Sequence, residues 1–405
     1  MVEWLERGGI RMKKAAFVII LLLLFTAAAM AQYRGRSRGT EGPCRVERGL
    51  IILTQFPDME TPVKKEYAQK RFFRELNEYV QEMSYGKVCI KGDVTEKWIT
   101  LPDPITKYRI SSRNLEVDKG RVRKLIDDAL KGADREVDFS RYSFVVVFLG
   151  AKVKDYGMIG LCGYPGMLGW GSEDVLKTPG GQTIKGGVAI YSYQAHLGTL
   201  FHDIAHILGG IKNGKRLVPC LYDHDLQARQ GDMRETFVDA TINMGFWDPM
   251  SCHYYKWDMP PPGISSWTKL RLGWMDTDRV RVLDPRNKSE VILAPLEDPE
   301  GKTLAIRIQL TESTYYLIEN RQPRGFDKNL PGSGILIMFG DDRVRECRQG
   351  KSPVKLINAD PSQEHLTGAA FDLGKTPEFT DREHNLRIRI LSREGDSYKL
   401  DIGPY

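Results

Sequence analysis

Two histidines four residues apart, His202 and His206, lie in a strongly helical stretch and constrain this chain more than any other feature. Read from Tyr193 to Leu208 as a helix, the segment gathers Leu197, Leu200, Phe201, Ile204, Ile207 and Leu208 into one wide apolar face. Residues four apart are neighbours on a helix surface, so the two imidazoles emerge side by side on another face. Imidazoles placed in this way can hold one metal ion. Gly209-Gly210 follows at once, and glycine there allows the left-handed turn that ends a helix and returns the chain across the histidines.

The remainder of the chain has the means to bury such a helix. With 405 residues, 41% hydrophobic and 28% charged, it reads as one large or two medium soluble domains. The formal net charge is +6, of which the first 31 residues carry +2 (Arg7, Arg11, Lys13 and Lys14 against Glu3 and Glu6). The remaining charge is scattered, which argues against a nucleic-acid partner.

Lys13-Lys14, the apolar run from Ala15 and the Ala29-Met30-Ala31 sequence have the layout of a secretory signal peptide cleaved after Ala31. An uncleaved anchor is the alternative, since the run approaches the length of a membrane span. Either reading puts the rest of the chain outside the cytoplasm, secreted or tethered, with membrane contact only through that segment. Residues 32–43 are rich in Arg, Gly and Ser and read as a flexible leader. All six cysteines (Cys44, Cys89, Cys162, Cys220, Cys252 and Cys347) lie beyond the signal, so three disulfides are possible, in 15 pairings.

Residues 44–278 mix strand and helix signals. Gly49 to Phe56, Lys87 to Leu101, Tyr142 to Gly150 and Gly187 to Tyr193 read as strands, with Tyr142 to Gly150 the central one. Pro62 to Met83 and Leu115 to Gly132 read as helices, and the Gly- and Pro-rich stretch from Cys162 to Gly187 as loop. Residues 279–405 lose helical periodicity and show short alternating runs such as SEVILAPL and LRIRIL, a β-rich region. The fold class is therefore α/β (α+β), a mixed sheet with its histidine-bearing helix, followed by a β-rich C-terminal region.

The segment from His202 to Gly209 matches H-E-x-x-H followed by x-x-G, a zinc-peptidase pattern, in every element except the glutamate, which is Asp203. In such a pattern the carboxylate takes a proton from the attacking water and delivers it to the leaving amine. Asp203 can do the same chemistry in kind. It is one methylene shorter, which withdraws the carboxylate by roughly 1 Å, and a displacement of about 1 Å can cost roughly 10²-fold in rate.

Phrases on both sides of this helix resemble the immune inhibitor A family of secreted metallopeptidases. They are Met83 to Val88, Val137 to Tyr142, Phe246 to Ser251 (resembling a methionine turn), Ser265 to Trp274, Tyr316 to Arg321, Gly325 to Asp327 and Leu330 to Gly334. The resemblance implies a zincin-like metallopeptidase domain with His202 and His206 as zinc ligands, Asp203 in the place of the general base and Met250 beneath the metal. Where the family usually has its third ligand, an Asp, this chain first inserts a loop, Gly210 to Arg216, turning at Asn213-Gly214. It then resumes as Leu217-Val218-Pro219-Cys220-Leu221-Tyr222-Asp223, with a cysteine at that place. A thiolate binds zinc well, so Cys220 leads as the third ligand, ahead of Asp223 and His224. A Cys220–Cys252 disulfide is the alternative. Whether calcium also binds is left open by the sequence.

The resemblance further implies a peptide or protein substrate, extended along an edge strand near Gly187 to Tyr193. Tyr254 or Tyr255 could stabilise an oxyanion, His253 reads as a supporting or surface residue, and His196 as a polar helix residue. Glu319-Asn320-Arg321 reads as a structural cluster. The altered positions 203 and 220 keep a second class open, an inactive homologue acting as an extracellular binding protein.

Overall fold

The computed structural model describes residues 43–111, 116–169, 176–227 and 237–405; the signal and leader readings fall on residues outside these, apart from residue 43. Among the described residues no helix is long and apolar enough to cross a membrane. The architecture is mixed α/β, with several sheets and few helices.

The first sheet is built from β1 (Arg45–Gln55), β2 (Val88–Val94), β3 (Ile99–Thr100), β4 (Phe144–Leu149), β5 (Gly160–Tyr164) and β8 (Gly187–Ser192). A small hairpin of β6 (Leu176–Lys177) and β7 (Thr183–Ile184) lies outside it. The order is β2-β1-β4-β8-β5, with β3 beside β1, so β4 is central, as its apolar run predicts. All pairings are parallel except β5 with β8. Strands buried on both faces need apolar residues at every position, and β4 and β8 are buried throughout.

Alternate residues of these strands serve two layers. Leu50, Ile52, Val145, Val147, Val188 and Ile190 pack against Val122, Leu125, Ile126 and Ala129 of the helix Lys119–Ala133, which Asp118 caps by accepting from the Arg121 N–H. Ile51, Leu53, Val146, Phe148, Ala189 and Tyr191 face the other way, onto Phe72, Leu76 and Tyr79 and onto Leu200, Phe201 and Ile204 of the helix Leu197–Gly209. Burying each such side chain contributes roughly 1.5–3 kcal/mol, which is what fixes the histidine-bearing helix against the sheet.

Two readings are corrected. Gly187 to Tyr193 does not form the edge strand: β8 lies between β4 and β5, and β5 is the edge. The start of the expected loop at Cys162 is part of that edge strand. Its glycines concealed it, and packing explains them. A Cβ on Gly163 would lie 2.6 Å from Ile126 Cδ1, and one on Gly160 2.6 Å from the Tyr191 ring.

After a short antiparallel pair, β9 (Ile211–Lys212) and β10 (Lys215–Arg216), and the helix Ser266–Arg271, the chain enters its β-rich part. One sheet has the order β11-β13-β14-β15-β16: Val280–Leu283, Ala305–Gln309, Thr314–Arg321, Gly334–Asp341 and Val354–Leu356. The other has the order β12-β19-β18-β17: Ser289–Leu293, Ser397–Gly403, Leu386–Glu394 and Glu378–Asp381. Ile306, Ile318 and Ile337 of the first sheet meet Ile388, Leu400 and Ile402 of the second, making a sandwich core. The opposite face of the five-stranded sheet, through Tyr315, Leu317, Leu336 and Met338, joins the core that holds Met250, Trp267 and the histidine-bearing helix.

Candidate metal centre

The helix that carries the histidines begins one residue after His196, whose Nδ1 accepts from the Gly198 N–H at 3.0 Å. His196 is thus the N-cap rather than a residue inside the helix. The helix closes at Gly209, and Gly210 takes a φ of +67° with a ψ of −164°, a conformation open to glycine but not the left-handed helical turn expected there. The inserted loop follows as the β9–β10 hairpin. Asn213 and Gly214 have φ of +54° and +68°, the pair of positive values that a tight two-residue hairpin turn requires.

This return brings Cys220 onto the histidines. Its Sγ lies 3.5 Å from His202 Nε2 and 3.4 Å from His206 Nε2, and all three donor atoms fall within 4.8 Å of one another. The three residues are 1–3% exposed. The other ring nitrogens are engaged: His202 Nδ1 donates to Pro249 O at 2.9 Å, and His206 Nδ1 donates to Val218 O at 2.7 Å. A carbonyl can only accept, so both rings are held with the Nε2 lone pair turned toward the sulfur, the tautomer that a metal ligand needs. This buried His202–His206–Cys220 group could bind a metal ion.

The segment that carries Cys220 is strapped from both sides. Leu221 N–H donates to Met250 O at 2.7 Å, and the Asp248 carboxylate accepts from Met250 N–H at 2.8 Å and from the Ser265 and Thr268 hydroxyls at 2.6 Å. Met250 is fully buried in the same core as the helix. The turn at Asp248-Pro249-Met250 therefore supports His202 through a carbonyl and Cys220 through its neighbour.

Cys162, Cys220, Cys252 and Cys347 form no disulfide, so the Cys220–Cys252 alternative is not realised; the one disulfide among the described residues is Cys44–Cys89. Asp223 and His224 do not join the donor group. The Asp223 carboxylate accepts from the backbone N–H groups of Asp225, Leu226 and Gly350. His224 Nε2 lies 3.3 Å from Glu346 Oε2.

Around the sulfur stand residues that sequence reasoning did not assign. Arg216, delivered by the hairpin, has Nη2 3.9 Å from Cys220 Sγ and 3.2 Å from Glu346 Oε2. The Tyr222 hydroxyl is 3.3 Å from the sulfur, and its ring stacks on His202. Burial opposes ionisation of Cys220, but His206 and Arg216 outweigh it and lower the thiol well below its ordinary value. Burial likewise acts to lower His224, yet Cys220 and Glu346 raise it to about 9. Burial lowers His206 to about 4.

Asp203 is 6% exposed, and burial raises its carboxyl to about 7. Its Oδ2 is buried and has no hydrogen-bond partner. His253 also enters the site. Its Nδ1 is 3.1 Å from Thr199 Oγ1, its ring lies 4.6 Å from that of His202, and its Nε2 has no partner. Tyr255 instead packs on Phe246. A cavity of about 860 Å³ is lined by His202, Asp203, His206, Cys220, His253 and the β5 edge. The chain matches no family model and no curated protein.

Proposed function

We propose that the chain is an exported zinc metallopeptidase, similar to the immune inhibitor A type, with a zincin-like first part. In this reading His202, His206 and Cys220 hold the metal and Asp203 is the general base. One observation carries it: two Nε2 atoms and a sulfur converge beside a cavity that Asp203 also lines. Three protein donors and an opening suit a catalytic zinc site, which keeps one position for water or substrate. The mixed sheet with one antiparallel edge strand next to the helix is consistent with a zincin-like arrangement. The Cys44–Cys89 disulfide is consistent with an oxidising compartment outside the cytoplasm.

Zinc held there would polarise the scissile carbonyl and acidify water. The remaining chemistry falls to the chain's own residues. Asp203 accepts the proton of the attacking water as its oxygen bonds to the carbonyl carbon. Asp203 then returns that proton to the amine nitrogen as the C–N bond breaks. His253 offers a ring nitrogen to the oxygen on which charge develops. The substrate peptide lies extended beside β5, the edge strand of the sheet.

A non-catalytic extracellular binding protein is the second reading. The observation that favours it is the short carboxylate of Asp203, almost wholly buried. Zinc content of the purified protein, followed by casein hydrolysis with and without a chelator, separates the two. Stoichiometric zinc with chelator-sensitive cleavage supports the peptidase. Zinc without cleavage, gained on Asp203→Glu, supports the binder, and a protein that takes no zinc overturns the metallopeptidase.

A further inference from the structure

The loop that follows the 248–250 turn is fastened to the helix that carries the histidines at two points. His196 accepts from Gly198 N–H through Nδ1, and its Nε2 donates to Met259 O at 2.8 Å; one neutral tautomer satisfies both bonds. At the second point the His253 carbonyl lies directly on Gly198, where a Cβ would come to 1.7 Å from the oxygen. Between these fastenings the loop presents Trp257, 51% exposed. Its ring meets that of Tyr254 at 5.1 Å, almost perpendicular at 84°, and that of His196 at 5.6 Å.

Trp257 and Tyr254 line the same cavity as His202, Asp203, His206 and Cys220. Met158, Leu161 and Met167 add apolar surface to it from the β5 side. An exposed large aromatic ring contributes little to the fold, yet this one is braced by the Tyr254 ring and by the ring of a doubly bonded histidine. Rigid aromatic surface beside a donor cluster is the form that binding surfaces take, because it offers area at little conformational cost. A peptide extended along β5 turns alternate side chains to opposite sides, so an apolar wall in the cavity selects by side chain and not by backbone.

We infer that Trp257, braced by Tyr254 and His196, is the platform that selects a large apolar or aromatic side chain of the peptide substrate. This inference rests on the metallopeptidase reading above. It makes the chain a peptidase with a preference for one bulky apolar residue near the scissile bond.

The test uses the full chain reconstituted with zinc and phosphinic peptides, whose tetrahedral phosphorus replaces the scissile carbonyl. Affinities are measured by calorimetry for peptides with Phe or Ala in turn on each side of the phosphinate. The wild type is expected to favour Phe over Ala by roughly 10- to 100-fold on one side, the range that small changes in apolar contact give. Trp257→Ala should bring that ratio within about threefold at undiminished zinc content, and Trp257→Phe should restore most of it. Equal discrimination by wild type and Trp257→Ala, or no Phe preference in the wild type, overturns the inference while the metallopeptidase stands. A wild type that binds neither zinc nor any of these peptides removes both.

Discussion

The candidate metal centre and the Arg321 cluster are both buried and both polar, but they are completed in different ways. Arg321, fully buried on β14, has five N–H groups and makes five hydrogen bonds. They go to both Asp327 oxygens at 2.7 Å, to Glu319 at 2.9 Å, and to the carbonyls of Gly263 and Trp247 at 2.9 and 3.2 Å. Around His202, by contrast, Asp203 Oδ2 and His253 Nε2 have no partner, and three lone-pair donors point at one another. A saturated network holds surfaces together; an unsaturated one costs stability unless something else binds to it. The difference teaches that the chain fastens its sandwich with one polar cluster and leaves the other ready for a ligand.

Removing a donor from the unsaturated site should have the largest effect. His206→Ala is expected to lose stoichiometric zinc and all chelator-sensitive cleavage, as measured by metal analysis and casein hydrolysis; retained zinc would break the comparison. Asp203→Asn should keep zinc but lower kcat by roughly 10² to 10⁴, the range for losing a general base. In the saturated cluster Arg321→Ala strands Asp327 and Glu319 and should cost about 3–5 kcal/mol in urea unfolding. A loss below about 1 kcal/mol would show that this cluster does not fasten the sandwich.

Smaller effects sharpen the contrast. Glu346→Gln weakens the carboxylate that holds Arg216 and His224 beside Cys220, and zinc affinity should fall roughly 10- to 100-fold, as outer partners of metal ligands usually allow. The smallest effect belongs to a partly exposed group. Hydrogen bonds from Arg324 hold the Asp396 carboxyl below its ordinary value. A lowered carboxyl stabilises the fold above its unfolded pKa of about 4 and loses that contribution as pH falls through the folded value. Asp396→Asn should therefore cost less than about 1 kcal/mol at pH 7, and the difference from wild type should shrink below pH 4.

What the sequence disclosed followed range of interaction. The helix around His202 and the central strand were readable because apolar periodicity is local, and so was the turn at Asn213-Gly214. The β5 edge was hidden because Gly160 and Gly163 answer to Tyr191 and Ile126, side chains that no local window contains. Cys220 could be placed by position after the inserted loop, but its surroundings could not. Glu346 arrives from the β15–β16 connection, 130 residues beyond Arg216, and carries no local mark. His253 was set aside in favour of its tyrosine neighbours. Its closeness to His202 depends on how the 248–250 turn folds back beneath the helix.

Glu346 has a thermodynamic consequence. It belongs to the sandwich, as do Gln349 and Gly350, whose N–H groups bond to Asp225 and Asp223 on the ligand side. Any ligand held by Cys220 is therefore linked to the folding of residues more than a hundred positions away. Ligand-linked stabilisation grows as RT ln(1 + [L]/Kd), so the ambient metal level becomes a variable of sandwich stability. Equally, strain applied to the sandwich becomes a variable of metal release.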